Sequence, residues 1–179
     1  MVKERKVNKN IIFLVLFFLV FGQIAFAQSS EANTVISAGI GPEFNMNSRE
    51  NFAGGIALSL DYQLPIEAIR LSAGLTVTAS YNFTDTFVLE TTAMARWYFL
   101  GADHTGLFAQ VDLGVHLITE RDVSVILFEG GIRAGYRLLL GDSFYIEPYG
   151  RFGYPYFMGI GVLAGMRIQI SPNSPGNGN

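Results

Sequence analysis

The sequence predicts an all-β protein: an eight-stranded antiparallel up-and-down barrel that crosses a membrane with its strands. Three observations lead there. Apolar and polar residues alternate with period two in eight successive segments. The connections between segments are short and rich in turn formers. The apolar faces carry aliphatic residues in the middle and aromatic residues toward the ends.

The start of the chain is of another kind. Lys3, Arg5, Lys6 and Lys9 form a basic start, Ile11 to Phe21 an apolar run, and Ala25-Phe26-Ala27 a small-residue cleavage site before Gln28. This reads as a secretory signal over residues 1–27. The apolar run is eleven residues long, against the ~20 that a spanning helix needs. The barrel is expected over 28–170, and 171–179, rich in Ser, Pro, Asn and Gly, as a flexible polar tail. All three lysines leave with the signal, so the eight basic residues that remain are arginines, against 14 acids. A water-facing surface normally mixes Lys with Arg, Glu and Asp, and nucleic-acid binding needs a basic patch. The absence of Cys excludes disulfides, thiolate metal sites, Cys nucleophiles and a lipid-modified cysteine.

The strands follow in order. The first, 34–44, carries Gly39, Gly41 and Glu43 on one face and ends at Phe44, before the turn formers Asn45-Met46-Asn47-Ser48. The second, 52–63, sets Gly55 and Asp61 against Phe52 and Tyr62 and stops ahead of Pro65. In the third, 68–82, Ile69, Leu71, Ala73, Leu75, Val77, Ala79 and Tyr81 alternate with Arg70, Ser72, Gly74, Thr76, Thr78, Ser80 and Asn82. Thr84-Asp85 turns the chain into the fourth, 86–100, where Phe87, Leu89, Ala93, Ala95, Trp97 and Phe99 oppose Glu90, Thr92, Met94, Arg96 and Tyr98. After Gly101-Ala102-Asp103 the fifth, 107–118, sets Leu107, Val111, Leu113, Val115 and Leu117 against Gln110, Asp112, Gly114 and His116. The sixth, 123–140, places Glu129, Gly131, Arg133, Gly135 and Arg137 together, and Gly141-Asp142 turns it into the seventh, 143–153, with Glu147, Arg151 and Gly153. Beyond Pro155 the eighth, 157–170, carries Gly159, Gly161, Gly165 and Arg167. Eight such strands close into a barrel without free edges.

The polar face is expected inside. It holds Glu43, Asp61, Glu90, Asp112, Glu129 and Glu147 with Arg70, Arg96, Arg133, Arg137, Arg151 and Arg167, a balanced set without lysine. Arginine suits buried ion pairs, lysine open water. Glycines on that face make room for long Arg and Glu side chains in a narrow lumen. The other face bears Tyr62, Trp97, Phe99 and Phe144 at one rim and Phe44, Phe52, Tyr81, Phe83, Phe87 and Tyr154 at the other, as interfacial girdles do.

With these faces assigned, the chain resembles the small eight-stranded outer-membrane barrels of Gram-negative-type bacteria, the OmpA/OmpX-like group. Gly165-Met166-Arg167-Ile168-Gln169-Ile170 is similar to that group's assembly signal, a glycine followed by apolar residues three and five positions on, here ending in Ile rather than an aromatic. The resemblance implies insertion by the barrel-assembly machinery into a bacterial outer membrane, with outer-membrane lipid around the barrel and both termini periplasmic. Loops near 45–51, 82–85, 118–122 and 154–156 would face outside. A monomer is expected.

Inside so narrow a barrel the charges are expected to pair, with His116 among them. A register in which paired numbers of the fifth and sixth strands sum to 245 sets Asp112 against Arg133 and His116 against Glu129. A sum of 284 between the sixth and seventh sets Arg137 against Glu147. Catalysis is not expected: His104 lies in a turn, and Asp112 and His116, four residues apart on one strand, stand ~13 Å apart. Two histidines in all argue against a His-based metal site, and no cofactor is expected. Gly159-Ile160-Gly161-Val162-Leu163-Ala164 fits a dinucleotide fingerprint in letters only, since no helix and acidic partner can follow before Asn179. The expected function is structural, membrane integrity or loop presentation around a charge-filled lumen. The alternatives are a narrow passage lined by Thr76, Thr78, Ser80 and Asn82, or a lipid-modifying enzyme.

Overall fold

The computed structural model describes residues 34–47, 52–64, 70–82, 86–99, 104–120 and 123–170. The expected signal, the polar tail, Phe83 and the turns at 84–85 and 101–103 lie outside the described residues. Eight strands run in order: β1 Thr34–Asn47, β2 Phe52–Gln63, β3 Leu71–Asn82, β4 Thr86–Tyr98, β5 Gly106–Glu120, β6 Val123–Leu140, β7 Phe144–Tyr154 and β8 Tyr156–Ile170. Each pairs antiparallel with the next, and β8 pairs back onto β1, closing an up-and-down barrel without a free edge.

The alternation in sequence becomes an inside and an outside. Along β2 buried Ala53, Ala57, Ser59, Asp61 and Gln63 alternate with exposed Phe52, Ile56, Leu58 and Leu60. The polarity is inverted relative to a soluble barrel: the charges are inside, and large apolar side chains cover the outer wall, Ile132 at 60%, Ile160 at 62% and Phe128 at 61% exposure among them. A continuous apolar exterior of this kind marks a surface that meets lipid or protein rather than water. Trp97, Phe99 and Phe144 are exposed near the rim where the described barrel starts and ends; Phe44, Phe52, Tyr81, Phe87 and Tyr154 are exposed near the other.

Several boundaries differ from the sequence expectation. Asn45, Met46 and Asn47 continue β1. Asn45 and Met46 pair with Ala53 and Phe52 on one side, and all three pair with Gly159, Met158 and Tyr156 on the other. Strand neighbours satisfy this backbone, which overrides the turn preference of asparagine. The β6–β7 turn is as expected: Gly141 takes φ +73°, a left-handed conformation that favours glycine, with open space around its Cβ position.

The β6–β7 register sums to 284, as in Leu138↔Ile146 and Gly131↔Gly153. The β5–β6 register sums to 243 instead of 245: Gln110 lies opposite Arg133, Asp112 opposite Gly131, Gly114 opposite Glu129 and His116 opposite Leu127. A slip of two residues leaves every side chain on its expected face, because strand side chains repeat every two.

Candidate functional site

The chemistry of the barrel is concentrated in its interior. Glu43, Asp61, Glu90, Arg96, Asp112, His116, Glu129, Arg133, Arg137, Glu147 and Arg151 are all buried, none more than 4% exposed. They come from β1, β2 and β4 to β7, while β3 adds a neutral wall of buried Ser72, Thr76, Thr78 and Ser80. Two of the residues expected among the charges are not there. Arg70 precedes the first residue of β3 and is exposed, and Arg167, opposite Ser37 near the end of β8, is half-buried. Both have inward parity, but both lie at the rim near the termini, where a long side chain reaches water.

One group lies toward that rim. Arg137 Nε donates to Glu147 Oε2 at 2.6 Å, its Nη2 to Asp61 Oδ2 at 2.8 Å and its Nη1 to Ser37 Oγ at 3.1 Å. Arg96 Nη1 reaches the same Glu147 oxygen at 2.9 Å and Tyr98 OH at 3.1 Å, and its Nε donates to Gln110 Oε1 at 2.8 Å. Gln110 Nε2 then donates to Asp112 Oδ1 at 2.6 Å, linking this group to the next.

The second group lies toward the opposite rim. Arg133 bridges Asp112, Nε to Oδ2 at 3.3 Å, and Glu43, Nη1 to Oε2 at 3.4 Å. Glu43 also accepts from Tyr149 OH at 2.6 Å and Asn45 Nδ2 at 2.8 Å. Arg151 is the hub: Nη1 lies 2.8 Å from Glu43 Oε1 and 2.8 Å from Glu90 Oε2, and Nη2 lies 2.7 Å from Glu129 Oε1. His116, directly opposite Glu90 across β4 and β5, has its Nδ1 3.0 Å from Glu90 Oε1. The expected Arg137–Glu147 and Asp112–Arg133 partners are thus in contact, the latter as a diagonal neighbour rather than a facing pair.

The interior also holds aromatic rings that alternation alone does not single out. Each buried arginine lies against one: Arg96 over Phe108 at 4.2 Å, Arg137 over Tyr145 at 4.2 Å, Arg133 over Tyr149 at 4.5 Å and Arg151 over Tyr156 at 6.0 Å. These are cation–π contacts in a desolvated setting, where they are strongest. The glycines account for the fit. A Cβ on Gly161 would run into the Tyr149 ring, one on Gly165 into Tyr145, and one on Gly135 would come within 2.7 Å of Phe108. The sequence suggests that glycine makes room for Arg and Glu; Gly159 does so for the stem of Arg151, 3.0 Å from where its Cβ would be, while the close neighbours of the others are mainly the rings on which the arginines rest and the backbone of adjoining strands.

The charge count changes as well. With Arg70 and Arg167 at the rim, six buried carboxylates face four guanidiniums among the described residues. Asp61 and Glu147 balance Arg96 and Arg137 in the first group. Glu43, Glu90, Asp112 and Glu129 exceed Arg133 and Arg151 by two in the second.

His104 stands apart, at a left-handed φ of 57° in the turn before β5, its ring edge-on to Tyr98 at 5.6 Å. Partial burial lowers its pKa.

The fold is an all-antiparallel closed eight-stranded barrel with charges inside and an apolar wall outside. Two solved structures share the fold. The Neisserial surface protein A (NspA) superposes with a TM-score of 0.54 at 14% identity, covering 78% of this chain and all of that one. The N-terminal β-barrel domain of Pseudomonas aeruginosa OprF gives 0.52 at 16% identity, covering 76% of this chain and 98% of that one. No protein-family model and no curated protein sequence matches the chain.

Proposed function

We propose that the protein is an integral barrel of a bacterial outer membrane that acts without turnover, its lumen filled by the charge network. It then contributes to membrane integrity or holds its loops at the cell surface. One observation carries this reading: hydrogen-bonded ion pairs run from Asp61 and Glu147 near one end to Glu90 and Glu129 near the other, through Gln110 and Asp112, with four arginines no more than 4% exposed. Breaking such a network leaves uncompensated buried charge, so the network resists opening. On this reading the outer wall meets lipid, both termini face the periplasm, and insertion by the barrel-assembly machinery uses β8, with Gly165, Ile168 and Ile170 near its end.

Planar-bilayer recording of the refolded protein tests it. Silence is expected, and steady conductance from the wild type would sink it. A second reading, a narrow polar passage, draws on Ser59, Ser72 and Thr76, whose buried hydroxyl oxygens have no hydrogen-bond partner among the described residues along the β2–β3 wall. Conductance that falls on Thr76→Val would favour that passage.

A further inference from the structure

One of the two excess negative charges lies around Arg133 and the other around Arg151. Asp61 and Glu147 are matched by Arg96 and Arg137, Glu43 and Asp112 lie against Arg133, and Arg151, which also reaches Glu43, is the arginine that Glu90 and Glu129 share. His116 joins that pair. One ligand atom from each of Glu90, His116 and Glu129 lies within 4.8 Å of the others, and all three side chains are buried. Arg151 takes up Glu129 Oε1, but Glu129 Oε2, in a residue 1% exposed, has no hydrogen-bond partner among the described residues.

Two buried carboxylates that share one arginine leave a negative charge uncompensated, which is costly in a desolvated interior, so further positive charge belongs beside Glu129. We propose that Glu90, His116 and Glu129 form a binding site for one divalent transition-metal ion of the Zn²⁺ or Mn²⁺ kind inside the barrel. A charge of +2 there brings the buried count to zero. One imidazole nitrogen with two carboxylate oxygens is a donor set for Zn²⁺ or Mn²⁺ rather than for Ca²⁺ or Mg²⁺, which take oxygen alone. Three protein ligands leave a further coordination position for water. Arg151, bonded to both carboxylates, and Tyr156, whose ring packs edge-on to His116 at 5.2 Å, hold the ligands in place from outside, as supporting residues do in metal sites. Two histidines are too few for a site built on imidazoles, but a mixed His–carboxylate site needs only one.

The test loads refolded, metal-stripped barrel with Zn²⁺, desalts it and measures bound zinc, with heat-modifiable gel mobility confirming the fold. About one zinc per barrel is expected for the wild type and for the exposed-turn control Asp142→Asn, with affinity at least about tenfold weaker in Glu129→Gln and His116→Ala. Folded wild type that retains no zinc, or zinc retained equally by both site variants, overturns the proposal. Protons alone would then neutralise the cluster. Should the variants fail to fold, Co²⁺ added to the wild type decides. Visible d–d bands displaced by Zn²⁺ support the site, and their absence overturns it. Zinc retention and bilayer conductance are separate readouts, so a conducting barrel that still holds zinc contradicts the filled lumen and leaves the metal site standing.

Discussion

Arg137 and Glu147 face each other across β6 and β7 with Nε 2.6 Å from Oε2, and the same guanidinium reaches Asp61 from the far wall of the barrel at 2.8 Å. One side chain thus ties three strands of a closed sheet. Arg137→Ala takes from Asp61 and Glu147 the nearer of their two arginines, leaves Arg96 alone against both, and is expected to cost about 3–5 kcal/mol. Replacing the pair together by Met and Leu is expected to cost less than the two single changes added, because the remaining Asp61 and Arg96, 3.8 Å apart, still balance each other. Urea unfolding in lipid vesicles measures both, and additive losses would remove the coupling.

Gly161 and Tyr149 are as closely fitted. The tyrosine ring occupies the space a Cβ on Gly161 would need, while its hydroxyl donates to Glu43 at 2.6 Å and its face supports Arg133. Gly161→Ala is expected to destabilise the barrel by about 1–3 kcal/mol through overpacking. The loss should shrink when Tyr149 is also cut to Leu, since the ring is what collides. Equal losses with and without the ring would show that backbone strain, not the ring, sets the cost.

Much of the fold is legible in the order of residues. Period-two alternation places eight strands and chooses their inner faces, and the tight turn at Gly141-Asp142 sets the β6–β7 register. The β5–β6 register escapes this reasoning because alternation ends β5 at residue 118. The strand runs to Glu120, which pairs with Val123 across residues 121 and 122, and that shorter loop moves the pairing by two. Parity also gives a face but no depth, so it assigns Arg70 and Arg167 to the inside although they sit at the rim. The Glu90–His116–Glu129 cluster is illegible for a further reason. His116 meets Glu90 straight across β4–β5, but Glu129 lies opposite Gly114, so the three come together only through the observed stagger of β6.

The outer wall offers a direct test of what surrounds it. Leu58 lies midway along β2 and is 48% exposed, whereas Phe52 is the strand's first residue. In water an exposed Leu→Arg change falls within about 0.5 kcal/mol. In a bilayer Leu58→Arg is expected to cost about 2–4 kcal/mol and Phe52→Arg only about 0–1, because the penalty depends on depth. Unfolding of both variants from vesicles provides the comparison. Equal small effects at both depths would contradict a lipid-facing wall.

Arginine itself separates the interior from the rim. Arg96 uses both the donors and the face of its planar fork, with Nε to Gln110, Nη1 to Tyr98 and Glu147, and the guanidinium 4.2 Å from the centre of the Phe108 ring. A lysine has one point charge and no planar face, so it can keep a contact to Glu147 only by giving up Gln110 and the ring. Lost hydrogen bonds involving a charged group are worth about 1.5–3 kcal/mol, and Arg96→Lys is expected to destabilise the barrel by that order. Arg70 is exposed to solvent, so Arg70→Lys is expected to stay within about 0.5 kcal/mol of wild type. The pair of conservative changes is read by unfolding midpoint in the same vesicles. A neutral Arg96→Lys would mean that charge alone, not the shape of the guanidinium, holds this end of the network together.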